Sequence, residues 1–279
     1  MVAAMNTTLS ILLAAIAPLQ TLERNNMMLV EAKADGKPCT LILDTGATHT
    51  TLDSKFVAEN LPEKKLTPMM IMGVTNVREA PKCLNLETLE IGEERFDGVE
   101  AMTIDMSHLS GTVGRKVDGI LGMSTILRKG ALVSASEGKV VFAPDEKDRE
   151  GFGAPCRSIT KDPLEIVVLA EKDGIFCPLL LDSASTWTIL PSRFAGAWKE
   201  DPETQKTDVG ATSVNGKVEN GEWSIGKEVR MNIGGEVVAT PMVNDSLAPR
   251  IGADTLRNYD ALLDVGVLRL RPARRGKPL

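Results

Sequence analysis

Two aspartates stand directly after apolar runs, where a carboxylate is unusual. Asp44 follows Leu41-Ile42-Leu43, and Asp182 follows Leu179-Leu180-Leu181. Such runs predict buried strands, and burying a lone carboxylate is costly unless the group finds a partner. If the fold brought the two carboxyls together, one could act as an acid and the other as a base on a single water molecule. An Asp that only caps a turn is an equal alternative when each motif is taken alone.

The stretch around Asp44 occurs twice in the chain, and this repeat disfavours the turn-cap alternative. Three islands recur in the same order, namely residues 39–56 on 177–194, 73–77 on 210–214, and 120–122 on 250–252. Asp44 and Asp182 fall on equivalent positions. The pattern indicates that one unit of about half the chain was duplicated and diverged.

Composition excludes several classes of function. The chain has 279 residues, 25% charged residues and a net charge of −6, which is ordinary for a soluble protein and gives no sign of nucleic-acid binding. His49 and His108 are its two histidines, and it has no Cys-x-x-Cys pair. We therefore expect neither a metal site nor a cofactor.

The repeat predicts a domain organisation of two lobes. We assign residues 21–143 to an N-terminal lobe, 144–158 to a charged and Gly/Pro-rich linker, and 159–279 to a C-terminal lobe. Residues 1–20 carry no charged side chain, and their apolar run ends near the small residues of Ala15-Ile16-Ala17, which is typical of a signal peptide. We expect export to the periplasm or the medium; a frayed apolar N-terminus is the alternative. Pairing of the cysteines Cys39, Cys83, Cys156 and Cys177 cannot be read from the sequence.

Short strands and turns predict a mostly β fold with a few short helices. Residues 27–32, a turn at Asp35-Gly36 and the strand before Asp44 predict a hairpin, and residues 164–181 predict its counterpart. Short helices are predicted at residues 54–60, 124–129 and 254–259, and a last strand within residues 261–271.

The chain resembles the aspartic proteases of the retropepsin and pepsin kind, and most closely the bacterial retropepsin-like proteases. The resemblance rests on Leu-Asp-Thr-Gly-Ala-Thr at 43–48 together with Val-Asp-Gly-Ile-Leu-Gly at 117–122. It implies two homologous β-barrel lobes in one chain, facing each other around a pseudo-twofold axis. It also implies an endopeptidase that cleaves a protein or peptide with Asp44 and Asp182 as catalytic dyad, and that works as a monomer.

The resemblance also implies supporting roles around the dyad. The hydroxyls of Thr45 and Ser183 would bond across the lobes and fix its geometry, although local capping is common for such residues. Gly46 and Ala184 complete the two turns. The segments with Gly73 and Val74, and with Gly210, occupy the place of flaps over the substrate, with a plain surface hairpin as the alternative.

Further residues are expected to line the cleft. His49 and Trp187 are equivalent positions after each Asp, and Ile120 and Arg250 are equivalent positions on the segment that passes each turn. A surface residue is the alternative for His49, core packing for Trp187, and an ion pair with Asp254 for Arg250. Ala184 and Arg250 depart from the family pattern, because a positive φ or a close approach at the Gly position would suit Ala poorly. These departures favour an alternative function, a catalytically inactive peptide-binding protein on the same fold.

Overall fold

The fold is mostly β, with a closed barrel of six strands and a half-barrel sheet that are consistent with two barrel lobes. The computed structural model describes residues 15–68, 81–196, 206–207, 211–212, 218–219 and 223–273. The predicted fold class is therefore confirmed. Within these residues, no helix is both long and apolar enough to span a membrane.

The first half of the chain contains ten strands and three helices in its described residues. The strands are β1 (Ala15–Thr21), β2 (Met28–Ala34), β3 (Lys37–Leu43), β4 (Thr51–Asp53), β5 (Thr67–Pro68), β6 (Lys82–Ile91), β7 (Glu94–Ile104), β8 (Gly119–Leu121), β9 (Ala131–Ser134) and β10 (Lys139–Phe142). The helices are α1 (Ser54–Asn60), α2 (Ser107–Val113) and α3 (Met123–Ile126).

The second half repeats the plan with shorter strands. Its strands are β11 (Cys156–Arg157), β12 (Val167–Lys172), β13 (Ile175–Leu181), β14 (Ile189–Leu190), β15 (Lys206–Thr207), β16 (Ala211–Thr212), β17 (Val218–Glu219), β18 (Trp223–Ile225), β19 (Val229–Asn232), β20 (Glu236–Ala239), β21 (Met242–Val243), β22 (Arg250–Ile251), β23 (Tyr259–Asp264) and β24 (Val267–Pro272). Its described helices are α4 (Ser192–Ala195) and α5 (Ala253–Leu256).

The two halves share one strand arrangement around each Asp. β3 runs parallel to β8, which is antiparallel to β4, and β13 runs parallel to β22, which is antiparallel to β14. The opening hairpins match as well, and both turn through an Asp-Gly pair of positive φ: 46° and 78° at Asp35-Gly36, and 53° and 77° at Asp173-Gly174. Glycine adopts this left-handed conformation without steric cost, so the same residue pair closes both hairpins.

A shared sheet joins the two lobes at their base. β23 pairs with β9, which continues through β10 and β1 to β2 in one sheet of thirteen strands. Residues 156–157, placed in the predicted linker, form β11 and pair with β24. The predicted last strand is two strands, β23 and β24, because a turn at Val265-Gly266 interrupts it.

β1 includes residues 15–20, which the sequence assigned to a possible signal peptide. It pairs with β10 and β2, and its Ala17 and Leu19 are buried. A mature chain that begins at residue 21 would therefore lack a strand of the shared sheet.

A second apolar cluster forms in the first lobe, on the sheet face opposite the main core. This α2 cluster consists of Met27, Leu29, Ile42, Met106, Leu109, Val113, Val117 and Ile120. No helix was predicted at α2, because its Gly111 and β-branched residues disfavour one. Leu109 and Val113 are buried, so packing on the sheet stabilises this helix despite its low propensity.

Candidate active site

Each of the two aspartates lies at the end of a buried strand. The amide of Asp44 donates to the carbonyl of Leu121 at 3.0 Å, and the amide of Asp182 donates to that of Ile251 at 3.0 Å. The residues are 4% and 8% exposed, respectively. The segment that runs parallel to each strand therefore holds the Asp turn in place.

Backbone amides inside each turn face the carboxyl groups. Asp44 Oδ1 accepts from the amides of Gly46 at 2.8 Å and Ala47 at 3.1 Å. Asp182 Oδ1 accepts from the amide of Ser185 at 2.9 Å. These bonds favour the charged form of a carboxyl group and partly offset its burial.

Hydroxyl groups tie the two turns together reciprocally. Thr45 Oγ1 donates to the carbonyl of Leu181 at 2.9 Å and accepts from the amide of Ser183 at 3.0 Å. Ser183 Oγ donates to the carbonyl of Leu43 at 2.7 Å and accepts from the amide of Thr45 at 2.9 Å. All four bonds are buried and cross from one lobe to the other. We call this set the hydroxyl grip.

The grip brings the turn of the first lobe against the carboxyl group of the second. A Cβ added at Gly46 would lie 2.8 Å from Asp182 Cγ, closer than real Cβ contacts come. Gly46 is therefore required for close approach. Neither Gly46 nor Ala184 has a positive φ, so the expectation that Ala184 would strain its turn by its φ is wrong. The methyl of Ala184 packs against the α2 cluster instead.

A second matched set of contacts braces the loops after the aspartates. A Cβ on Gly122 would lie 2.4 Å from the backbone of His49, and one on Gly252 would lie 2.3 Å from that of Trp187. Both glycines therefore allow two backbone segments to cross closely. The equivalence of His49 and Trp187, predicted from the alignment, holds in space.

Two pairs of buried threonines, for which no role was predicted, join these loops to α3 and α5. The Thr50 hydroxyl lies 2.7 Å from that of Thr125, and the Thr188 hydroxyl lies 2.6 Å from that of Thr255. Thr50 and Thr188 also accept from the amides of the glycines at 122 and 252, at 3.2 and 3.0 Å. The signal was present, because Thr50 and Thr188 align in the repeat.

Burial and charge act together on Asp44. Removal from water raises the pKa of Asp44, the neighbouring Asp182 raises it further, and the resulting value is about 7. The amides of Gly46 and Ala47 and the guanidinium of Arg250 lower it in part. Since an ordinary Asp has a pKa near 4, Asp44 keeps its proton over a pH range in which other aspartates are charged.

Arg250 introduces a cation at the site. Its Nη1 donates to Asp182 Oδ2 at 3.0 Å, and its Nε donates to the carbonyl of Ala248 at 3.1 Å. The alternative ion pair with Asp254 is wrong, because Asp254 Oδ1 accepts from the amide and hydroxyl of Thr188, both at 2.8 Å. The equivalent residue Ile120 is 2% exposed and lies in the α2 cluster.

The remaining predicted site residues divide into two groups. His49 is half-buried with Nδ1 at 2.9 Å from the Thr48 hydroxyl, and Trp187 is 40% exposed, which excludes full burial in the core. Gly73, Val74 and Gly210 lie outside the described residues, so the flap prediction stays a prediction.

The described part of the chain contains no group of three or more His, Cys, Asp or Glu placed to hold a metal ion. The expected absence of a metal and of a cofactor therefore stays a prediction. No disulfide joins Cys39, Cys83, Cys156 or Cys177, all of which are described.

A family comparison agrees with the first of the two Asp turns. Residues 30–125 match the family described as aspartyl protease. The match spans most of the first lobe, including Asp44, and supports the retropepsin-like aspartyl protease superfamily. No curated protein matches the chain significantly.

Proposed function

We propose that this chain is an aspartic endopeptidase in which Asp44 and Asp182 form the catalytic dyad. The observation that carries the proposal is the hydroxyl grip, since its four buried bonds join two duplicated Asp turns into one site. The family match around Asp44 supports the same activity in general terms.

The chemistry follows from two carboxyls that share one proton. Two adjacent carboxylates repel each other, so one carboxyl stays protonated while the other is ionised, an arrangement known from aspartic proteases. The ionised carboxyl takes a proton from a water molecule as the water oxygen attacks the peptide carbonyl carbon. The protonated carboxyl gives its proton to the carbonyl oxygen, and a tetrahedral diol forms.

Breakdown of the diol returns both protons. The carboxyl that received the water proton donates it to the peptide nitrogen, and the C–N bond breaks. The other carboxyl takes back a proton from one hydroxyl as the new carboxylic acid forms. The dyad ends with one proton, as it began, so no further reactant is required.

The substrate proposed is a protein or peptide bound between the lobes. The exposure of Trp187 supports a place at the rim of the cleft, with His49 at the equivalent position in the first lobe. Because both Asp turns lie in one chain, we propose an active monomer. Export, to the periplasm or the medium, is proposed from the apolar N-terminal residues alone.

A second candidate is a peptide-binding protein without catalysis. Arg250 favours it, because a guanidinium bonded to Asp182 could exclude the attacking water. Ala184 favours it less than the sequence suggested, since its methyl has room against the α2 cluster.

One assay distinguishes the two candidates. The purified chain is incubated with a random peptide mixture between about pH 3 and 7, with and without a statine-containing transition-state mimic, and products are identified by mass spectrometry. Cleavage that the statine compound inhibits supports the endopeptidase and excludes the binding-only candidate. Peptide binding without cleavage at any pH overturns the endopeptidase.

A further inference from the structure

Arg250 makes the two halves of the site unequal in charge. It is held at both ends of its guanidinium, by Asp182 Oδ2 at 3.0 Å and by the Ala248 carbonyl at 3.1 Å. The side chains of Arg250 and Asp182 are 25% and 11% exposed. A pair this sheltered from water is screened less by salt than an exposed ion pair.

The position of Arg250 in the sheet directs its charge to Asp182. Arg250 is the parallel-strand partner of Leu180, two residues before Asp182, so its side chain starts beside the strand that carries this Asp. At the equivalent place beside Asp44, Ile120 is the partner of Ile42 and is buried in the α2 cluster. The cation is therefore in contact with one carboxyl and absent beside the other.

We propose that Arg250 assigns the roles within the dyad: it holds Asp182 as the carboxylate and leaves the shared proton on Asp44. This inference rests on the proposed function for its consequence in catalysis. Asp182 is then the base that receives the water proton, and Asp44 is the acid toward the peptide carbonyl oxygen. Arg250 acts through Asp182 and is a positioning residue.

The surroundings of Asp44 agree with this assignment. The charged groups that act on it are Asp182 from the turn after β13, which raises its pKa, and Arg250 from β22, which lowers it. His49, in the loop of Asp44 itself, turns its Nδ1 toward the Thr48 hydroxyl. Burial is the largest influence and favours the neutral form of Asp44.

The assignment predicts that replacing Asp44 and replacing Asp182 by Asn change the stability of the fold in opposite directions. The pKa of Asp44 is about 7 in the folded chain and near 4 unfolded, so folded chains bind more protons between these values. Wild-type stability relative to Asp44→Asn should therefore fall as pH rises from about 4 to 7 and level off above 7. Asp182→Asn removes the partner of Arg250 and leaves a sheltered cation unpaired.

Thermal unfolding of the full chain between pH 4 and 8.5 tests the assignment without requiring turnover. At pH 8, Asp44→Asn should raise Tm by about 3 °C or more, and Asp182→Asn should lower it by a similar amount. A rise for Asp182→Asn, or equal shifts for both variants, would overturn the inference. Absence of cleavage would overturn the proposed function but would leave these shifts measurable.

Variants of Arg250 test whether the arginine causes the asymmetry. In an Arg250→Gln background the difference between the shifts caused by Asp44→Asn and Asp182→Asn should become much smaller, and Arg250→Lys should largely restore it. Arg257→Gln, which removes an exposed arginine of the same lobe bonded to Asn26, is the matched control and should change neither shift. An unchanged difference in Arg250→Gln would show that Arg250 does not assign the roles.

Carbon-13 NMR of aspartate carboxyls in the wild-type chain gives a test that needs no variant. Each carboxyl signal is assigned through correlations to the backbone of its own residue. At pH 6 the protonated carboxyl should be assigned to Asp44 and the ionised one to Asp182. The reverse assignment would overturn the inference.

Discussion

On the strand that passes beside each aspartate, the first lobe carries Ile120 and the second carries Arg250. Ile120 is buried in the α2 cluster, whereas Arg250 is bonded to Asp182. Around this difference the two lobes are nearly identical: each has its hydroxyl in the grip, its glycine under the crossing loop and its buried pair of threonines. Divergence has thus spared the contacts that hold the aspartates and changed the contacts that set their charge.

The sheet faces of the opening hairpins that point away from the main core also differ. In the first lobe Leu29 and Ile42 are buried under α2. Their equivalents in the second lobe, Val167 and Leu180, are half-buried, and Phe176 farther along the same face is 57% exposed. This face is therefore fully covered beside the Asp strand of the first lobe and only partly covered in the second.

The largest stability effect is expected at the hydroxyl grip, where the lobes are alike. Thr45→Val and Ser183→Ala each leave a buried amide and a buried carbonyl without their partner, which should cost about 2–4 kcal/mol. Chemical denaturation at pH 6 gives the free energy of unfolding. Thr112→Val, on an exposed hydroxyl of α2, is the control and should stay within about 0.5 kcal/mol. A loss of unfolding free energy at only one of the two positions would show that the two lobes do not contribute equally to the grip.

A smaller effect is expected where the lobes differ in burial. Leu109→Ala removes a buried anchor of α2 and should cost about 2–3 kcal/mol of unfolding free energy. Phe176→Ala, on the partly covered face of the second lobe, should cost below about 1 kcal/mol. Comparable costs for both would mean that something covers the second lobe as α2 covers the first.

The smallest effect is expected from making the second turn like the first. Ala184→Gly removes a methyl that packs on the α2 cluster and frees the unfolded chain, at a cost of about 0.5–1 kcal/mol. Cleavage should persist, because glycine keeps the backbone amide of residue 184 and loses only the methyl group. The opposite exchange, Gly46→Ala, should lose far more activity, since its methyl would meet the Asp182 carboxyl. Equal outcomes would show that the turns are interchangeable.

Most of the fold near the aspartates could be predicted because its sequence pattern occurs in both halves of the chain. The hairpin of β2 and β3, with its Asp-Gly turn, and its counterpart in the second lobe were predicted and are confirmed. So was the first helix, at residues 54–60. Apolar alternation and turn chemistry are local signals, and the repeat doubled their weight.

What the sequence could not supply depends on tertiary partners. α2 has weak helix formers and exists because Leu109 and Val113 find a sheet to cover, and β23 reaches across to β9 of the other lobe. The sequence left the partner of Arg250 open between a group in the cleft and Asp254, because a flexible side chain reaches several groups from one backbone position. A glycine at position 46 was expected to serve either a positive φ or a close approach. The position of Asp182 shows that it serves the close approach.

The central claim is that one chain supplies both carboxyls of a single dyad, and paired variants test it most directly. Asp44→Asn and Asp182→Asn are assayed separately and as an equimolar mixture on a peptide that the wild type cleaves. We predict that each variant and the mixture are inactive, and that wild-type activity rises linearly with protein concentration. Near wild-type turnover in either variant, or activity regained on mixing, would contradict a dyad built within one chain.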